Sequence, residues 1–307
     1  KEIRHIASSG GILTAMALYC LEEEGMEFVL HTGMDHEKPW QNCTVISRNR
    51  EELLRNAGSR YNSSSPCSGL KFIEEAAGKC VFIGKPCDVS AVQKARKLNP
   101  KLDRNLGVVL TFFCAGTPST QATLALLNEL DAPVSGISML NYRGEGWPGG
   151  FHARYDDSAM DTFLSYEESW SKLNRQRPIR CFVCPDGLGE FADISSGDAW
   201  HRYKEESDGL SIILPRTNLG SELMSKAVDA GYISIEESTI EDLLRAQPLI
   251  KRRQEIWGKI AGMRTVGLRV PAFRGFHLLR AWLSSSFLEK IKSLLYWRRH
   301  VLKKAKK

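Results

Sequence analysis

The chain has 307 residues, 42% of them hydrophobic and 25% charged, enough for one large domain or two smaller ones with real cores. It holds no run of roughly 18 uninterrupted apolar residues and no signal-peptide pattern, which argues against a membrane-spanning helix and a secreted reading. The net charge of +6 hides an asymmetry, because residues 251–307 carry sixteen Lys or Arg against Glu255 and Glu289, a surplus of +14 that leaves −8 for residues 1–250. Such a block reads as a docking surface for an acidic protein, an anionic lipid or a nucleic acid and says little about the fold. The chain opens on Lys1 with a Gly-rich motif close behind, so a preceding segment is expected.

In chain order, an apolar-periodic helix is predicted over 12–23, then strands in EFVLHTGMD from Glu27 and over about 40–47. Short helices over 51–57 and 68–77 lead to the apolar strand CVFIG at 80–84, a helix over 89–97 and the strand GVVLTFFC ending at Cys114. A buried strand followed by a helix, twice over, predicts an α/β fold with helices on the faces of a mixed, partly parallel sheet. From about 134 to 165, the pieces ISML and GFHARY and the turn RGEGWPGG suggest an inserted or antiparallel subregion, which we extend over 134–200. Its last part, RCFVCPDGLGEFADISSGDAW at 180–200, has the Gly, Asp and Cys of a loop. Strand and helix resume with SIILP, a helix over 221–230 and a strand-like YISIEE, and the last fifty residues read as helical and basic, broken near 267–275. We expect a body over 1–250 and a basic helical extension over 251–307.

The eight cysteines, at 20, 43, 67, 80, 87, 114, 181 and 184, are even in number, but a chain with this much apolar core needs no disulfide framework. Reduced thiols in a cytoplasmic setting are the better expectation. The sharpest local signal is Cys181-Phe-Val-Cys184 followed by Pro185: a two-residue gap turns two thiolates toward one metal, and a Pro after the last Cys is a ferredoxin-loop feature. A single CxxC also serves as a redox dithiol or an incidental pair. If the strands before Cys87 and Cys114 are parallel neighbours, both thiols emerge at one sheet edge and four thiolates can converge. Zinc and a cubane iron–sulfur cluster compete for such a site, and one close pair plus two single ligands from distant strand ends leans toward the cluster. The plain alternative makes Cys87 and Cys114 small buried hydrophobes. That role we assign to Cys20 and Cys80, with Cys43 and Cys67 unassigned.

Ser9, Gly10 and Gly11 at the head of a helix suit a phosphate cradle, because glycine allows close backbone approach and a helix start favours an anion; such a string also serves as a capping loop. Asp186, Glu190, Asp193 and Asp198 crowd the cysteine loop and read as turn caps and backbone binders more readily than as a cation site. Trp147 and Trp200 suit either stacking on a flat substrate or core packing. His201 is the candidate proton donor, with a structural histidine as the alternative. Phe276, Leu279, Leu283, Phe287, Ile291 and Leu295 fall at helical spacing among Arg and Lys, a pattern that fits an anionic membrane surface as well as packing on the body. Nothing else supports nucleic acid, and none is expected.

Taken in order, SSGGILTAMALYCLEEEG at 8–25, GSRYNSS at 58–64, GKPCDVSAV at 84–92, FFCAGTPS at 112–119, YRGEGWPGG at 142–150 and the 180–200 segment resemble the coenzyme F420 hydrogenase/dehydrogenase β-subunit family. That family also contains ferredoxin-dependent reductases such as 7-hydroxymethyl chlorophyll a reductase and a divinyl chlorophyllide reductase. The resemblance implies an FAD-dependent oxidoreductase with a 4Fe-4S cluster on residues matching Cys87, Cys114, Cys181 and Cys184. It raises the cradle at Ser9, Gly10 and Gly11 and brings Gly58, Ser59, Tyr61, Asn62, Ser63 and Lys85 near the flavin, Lys85 as a cation beside the diphosphate or reduced ring. Electrons would pass between a ferredoxin-like donor or redox partner subunit and a planar conjugated substrate, such as a deazaflavin or a tetrapyrrole, through hydride transfer at FAD. Further Cys-rich motifs that members often carry ahead of the Gly-rich segment do not occur here, so a second cluster is either absent or in a preceding segment. A homo-oligomer or complex subunit is expected, cytoplasmic or peripheral to the inner face of the membrane. The alternatives are a non-catalytic electron-transfer or docking subunit and a zinc-stabilised binding module.

Overall fold

The computed structural model describes residues 2–204 and 208–298. Helix α1 (Glu2–Ile6) precedes α2 (Ile12–Glu22), and strands β1 (Val29–Met34) and β2 (Asn42–Ser47) pair antiparallel from Val29 opposite Ser47 to Met34 opposite Asn42. Helices α3 (Arg50–Arg55) and α4 (Leu70–Glu75) lead to β3 (Cys80–Gly84), and α5 (Pro86–Arg96) and α6 (Pro100–Asn105) lead to β4 (Leu106–Phe112). After α7 (Thr120–Glu129), strands β5 (Ile137–Asn141), β6 (Gly150–Tyr155) and β7 (Thr162–Ser165) form an antiparallel sheet of their own, the subregion expected from its changed texture. Helices α8 (Tyr166–Leu173) and α9 (Ile179–Phe182) return the chain to β8 (Ile194–Asp198) and β9 (Ser211–Pro215). Five helices close it: α10 (Asn218–Asp229), α11 (Ile240–Ala246), α12 (Leu249–Thr265), α13 (Leu278–Leu283) and α14 (Phe287–Leu294).

The main sheet runs β2-β1-β3-β4-β8-β9, with parallel pairs inside and the antiparallel strands β2 and β9 at its edges. Successive side chains of a strand point to opposite faces, so the short apolar runs fill both layers. Val81, Val108 and Leu110 meet Leu18 of α2 and Leu223 of α10. Phe82 and Val109 meet Ile73 of α4, Val89 of α5 and Leu102 of α6. Mixed α/β with helices on both faces is thus the architecture.

Two expected elements differ. YISIEE forms no strand, because β9 is already the sheet edge and Tyr232 and Ile233 find other partners: the Tyr232 hydroxyl donates to Glu22 at 2.6 Å and Ile233 enters the core around α2. The apolar stripe from Phe276 to Leu295 is not one helix but α13 and α14. The break falls at the serines, where Ser286 caps α14 and Glu289 reaches back to the Ser286 amide at 2.9 Å. Residues 299–307 of the expected basic tail lie outside the described residues.

Candidate functional site

Strands β3 and β4 are parallel neighbours in the register Phe82–Val109 to Gly84–Thr111, so their carboxyl ends open at one edge, where α/β sheets place ligands. Cys87 stands in the first turn of α5, Cys114 two residues past β4, Cys181 in α9 and Cys184 in the loop toward β8. All four line one small cavity of about 50 Å³. The Cys114 amide donates to the Gly187 carbonyl at 2.8 Å, joining the β4 end to the CxxC loop. Cys87 is exposed and the other three are half-buried. Desolvation first, then Asp88, pushes the Cys87 thiol up to about 11; desolvation pushes Cys114 up to about 12 and raises Cys184. Thiols raised in this way ionise readily only against a cation, so any metal uptake here would release protons. Among the described residues no three His, Cys, Asp or Glu side chains gather as a single ion requires; the four cysteines share the lining of one cavity. Cys20 and Cys80 are fully buried in the two helix–sheet cores, as expected. Cys43 and Cys67 do not line that cavity; their thiols are directed at the Met34 and Asp88 carbonyls.

A second, larger cavity of about 280 Å³ opens beside the first. Helix α2 begins on its wall with no side-chain cap, which presents the positive helix end and its first amides to whatever fills the space. Gly11 takes φ 75° there, and a Cβ on it would meet Ile3 Cγ2 at 2.7 Å. Ser9, Gly58, Ser59, Tyr61, Asn62 and Lys85 also line the cavity. Gly10 and Ser63 are not among its lining residues: the Gly10 amide donates to Ser211 Oγ at 2.8 Å, a Cβ there would sit 2.7 Å from Ser211 N, and the Ser63 amide donates to Asn62 Oδ1 at 2.6 Å. Gly10 therefore serves the packing of the α2 loop on β9. The Asn62 amide is fully engaged, with Trp40 and Thr120, and the Lys85 ammonium already pairs with Asp88 at 2.7 Å and Ser64 Oγ at 2.7 Å.

Arg143, which had no expected role, also lines this cavity. It is 3% exposed, forks onto Asp198 at 2.7 and 3.0 Å, donates to the Pro148 carbonyl at 2.9 Å and to the Ser8 carbonyl, and packs against the rings of Tyr166 and Trp200. Asp198, expected as a turn cap, is its counter-ion and also accepts from Trp147 Nε1 at 2.9 Å. Asp186 and Asp193 do bind backbone amides, those of Gly189 and Val109, at 2.7 and 2.8 Å. Arg60, inside the 58–63 stretch but given no role of its own, lines the cavity while its guanidinium is held by the Pro39, Gln41 and Leu140 carbonyls and by Asn42, all of them neutral. The only prior signal for either arginine was its place inside GSRYNSS or YRGEGWPGG. His201 lies elsewhere, in a surface hollow with Arg4 and Tyr203; its Nε2 is 3.7 Å from Asp242 and its buried Nδ1 has no partner among the described residues.

The two cavities share a wall made of Cys114, Ala115, Gly116, Thr117 and Leu249.

Family models for the coenzyme F420 hydrogenase/dehydrogenase β subunit match this chain, the N-terminal one over residues 1–71 and the C-terminal one over residues 77–241. The chain is 28% identical over 260 residues to the coenzyme F420 hydrogenase subunit beta of Methanosarcina barkeri, covering 82% of this chain and 83% of that protein. It is 28% identical over 290 residues to the subunit of the same name from Methanococcus voltae, covering 88% and 94%. The coenzyme F420-dependent sulfite reductase of Methanocaldococcus jannaschii is 23% identical over 265 residues, which are 80% of this chain but 39% of that protein. A chain in the structure of the F420-reducing NiFe hydrogenase complex from Methanosarcina barkeri superposes with a TM-score of 0.67 at 26% identity, covering 88% of this chain and 92% of that one.

Proposed function

The chain belongs to the coenzyme F420 hydrogenase/dehydrogenase β-subunit family, and from that premise we propose that it is an iron–sulfur flavoprotein oxidoreductase. In this reading FAD occupies the larger cavity and a 4Fe-4S cluster sits on Cys87, Cys114, Cys181 and Cys184. Electrons pass between a ferredoxin-like one-electron partner and a planar conjugated substrate, such as a deazaflavin or a tetrapyrrole. The observation that carries the reading is the wall common to both cavities, with Cys114 in it. When bound, a flavin supplies two-electron hydride chemistry and a cluster supplies single-electron chemistry.

The residues present fit both groups. The uncapped start of α2, with Ser9 and Ser59, would take the diphosphate, and Arg60 adds positive charge whose partners are neutral. Tyr61, Tyr166, Trp170 and Trp200 give the same cavity an aromatic lining suited to a flat conjugated system, with Trp200 itself stacked between Trp147 and Tyr166. Exposed Cys87 and exposed Arg180 put the cysteine-lined cavity near solvent with a basic rim, which complements an acidic one-electron partner. A second reading, an electron-transfer subunit with no substrate of its own, is favoured by relatives that are named as subunits. Turnover by the isolated chain with an artificial donor separates the two.

Among the described residues no helix is long and apolar enough to cross a membrane. A peripheral contact is the reading we favour. Leu279, Leu283, Phe287, Leu288 and Ile291 are exposed on α13 and α14, amid Arg280, Lys290 and Lys292, and apolar knobs among cations complement anionic lipid.

The test of the redox reading is the visible spectrum of protein purified without oxygen, with iron, sulfide and flavin assays, for wild type and Cys184→Ser. Flavin bands with a broad iron–sulfur shoulder are expected in wild type, and the shoulder alone is lost in the variant. A colourless protein that reconstitution leaves colourless overturns the reading, and stoichiometric zinc in its place identifies a binding module.

A further inference from the structure

Helix α12 begins at Leu249, beyond the 77–241 span of the family model. One turn in, Arg252 lines the four-cysteine cavity. Its Nη1 donates to the Ala115 carbonyl at 2.9 Å and its Nη2 to the Cys181 carbonyl at 3.0 Å. Ala115 follows Cys114, and Cys181 opens the CxxC pair, so one planar guanidinium bridges the main chains of both halves of the cysteine set. Arg253 donates to the Pro185 carbonyl, directly after Cys184, at 3.0 Å and pairs with Glu190.

Packing points the same way. Phe182 and Val183, the two residues inside the CxxC, have their apolar partners in the C-terminal helices: Val183 is wholly buried with Met263 and Trp297, and the Phe182 ring lies 6.4 Å from that of Trp297. A four-residue helix such as α9 has no core of its own. The C-terminal helices supply one.

We infer that α12 clamps the cysteine site and that Arg252 is its positioning residue. It fixes the Cys114 and CxxC loops relative to each other and stabilises the negative charge that four thiolates gather. A guanidinium suits both tasks, since its fork of donors is rigid and its charge permanent. Unmet loop carbonyls beside a cavity would otherwise carry a desolvation cost. The inference rests on the four-cysteine cluster proposed above.

The full chain is compared as wild type, Arg252→Met and Arg252→Lys, with iron and sulfide per chain after anaerobic reconstitution, iron loss to a chelator over time, and the reduction potential by EPR-monitored titration. Arg252→Met is expected to lose iron roughly tenfold faster or more, the usual scale for a group that holds metal ligands in place. Its potential should move to more negative values, because the added electron has lost a neighbouring cation. Arg252→Lys keeps the charge without the fork, so it should recover the potential but not the retention. Glu255→Gln, on the same helix beside Lys259, is the control and should match wild type in both. Thermal unfolding of the metal-free forms reports whether each variant folds. Should the Met variant not fold, the Lys variant decides, and wild-type retention in it overturns the clamp. A wild-type chain that holds no iron overturns the cluster reading itself. A wild-type chain with a cluster that the Met variant matches in retention and potential overturns the clamp alone.

Discussion

A buried guanidinium is tolerable only when its charge is met and its donors are engaged, and Arg143 satisfies both conditions through Asp198, two carbonyls and two ring faces. Lys85 illustrates the reverse: a cation expected to serve a ligand already has Asp88 as its partner. His31, also on the wall of the larger cavity, is the residue whose titration bears on stability. Its Nε2 lies 2.8 Å from Ser47 Oγ, and burial pushes its pKa down to about 4. An unfolded chain protonates this histidine near its ordinary pKa of about 6.5, so as pH falls below that value the unfolded state takes up the proton first. The contribution of His31 is therefore complete above about pH 6.5 and is lost progressively toward about pH 4, by up to about 3 kcal/mol. His31→Gln is expected to flatten the acid limb of stability, followed as the urea midpoint against pH. Parallel acid limbs for the two chains would show that His31 carries none of it.

At the scale of the element, the start of α2 carries the strongest consequence. Its N-cap is a glycine in left-handed geometry with no room for a Cβ, which frees the helix amides for the cavity where a capping Ser or Asp would occupy them. Gly11→Ala forces an L side chain to φ 75°, a cost on the order of 1–2 kcal/mol, and displaces Ile3. A lower thermal midpoint together with a reduced flavin content per chain is expected; a variant that keeps wild-type flavin would remove α2 from the ligand site. The C-terminal stripe teaches a different lesson. Helical spacing across 276–295 reads as continuous, yet a reciprocal cap at Ser286 and Glu289 starts a new helix, since satisfying terminal amides outweighs the small gain from extending a helix through serines.

Across the whole molecule, charge and apolar surface are divided. Among the described residues the basic surplus of 251–307 divides: Arg252 and Arg253 turn inward to the cysteine loops, and Arg280, Lys290 and Lys292 lie on the helices that carry exposed leucines and Phe287. Flotation with phosphatidylglycerol vesicles is expected to carry the chain upward, with binding that weakens as salt screens the cations. Leu283→Glu with Phe287→Glu removes two apolar anchors of about 1.5–3 kcal/mol each, so binding should fall at least tenfold. Equal flotation with neutral phosphatidylcholine, or none with either lipid, would reassign this face to another partner.

The succession of apolar strands and amphipathic helices by itself determined the α/β layering, because strand alternation and helical spacing are local properties of neighbouring residues. The CxxC with its following Pro likewise marked the cysteine loop by spacing alone, and the glycines at the head of α2 marked the cavity rim, with Gly10 drawn away to β9. What only the tertiary structure decided is which distant groups meet. The parallel β3–β4 register brings Cys87 and Cys114 to one edge, Arg143 finds Asp198 across 55 positions, and Arg252 reaches Cys181 across 71 and Ala115 across 137. Such contacts have no local signature, because their energies exist only once the layers have packed and water has left the groups they join.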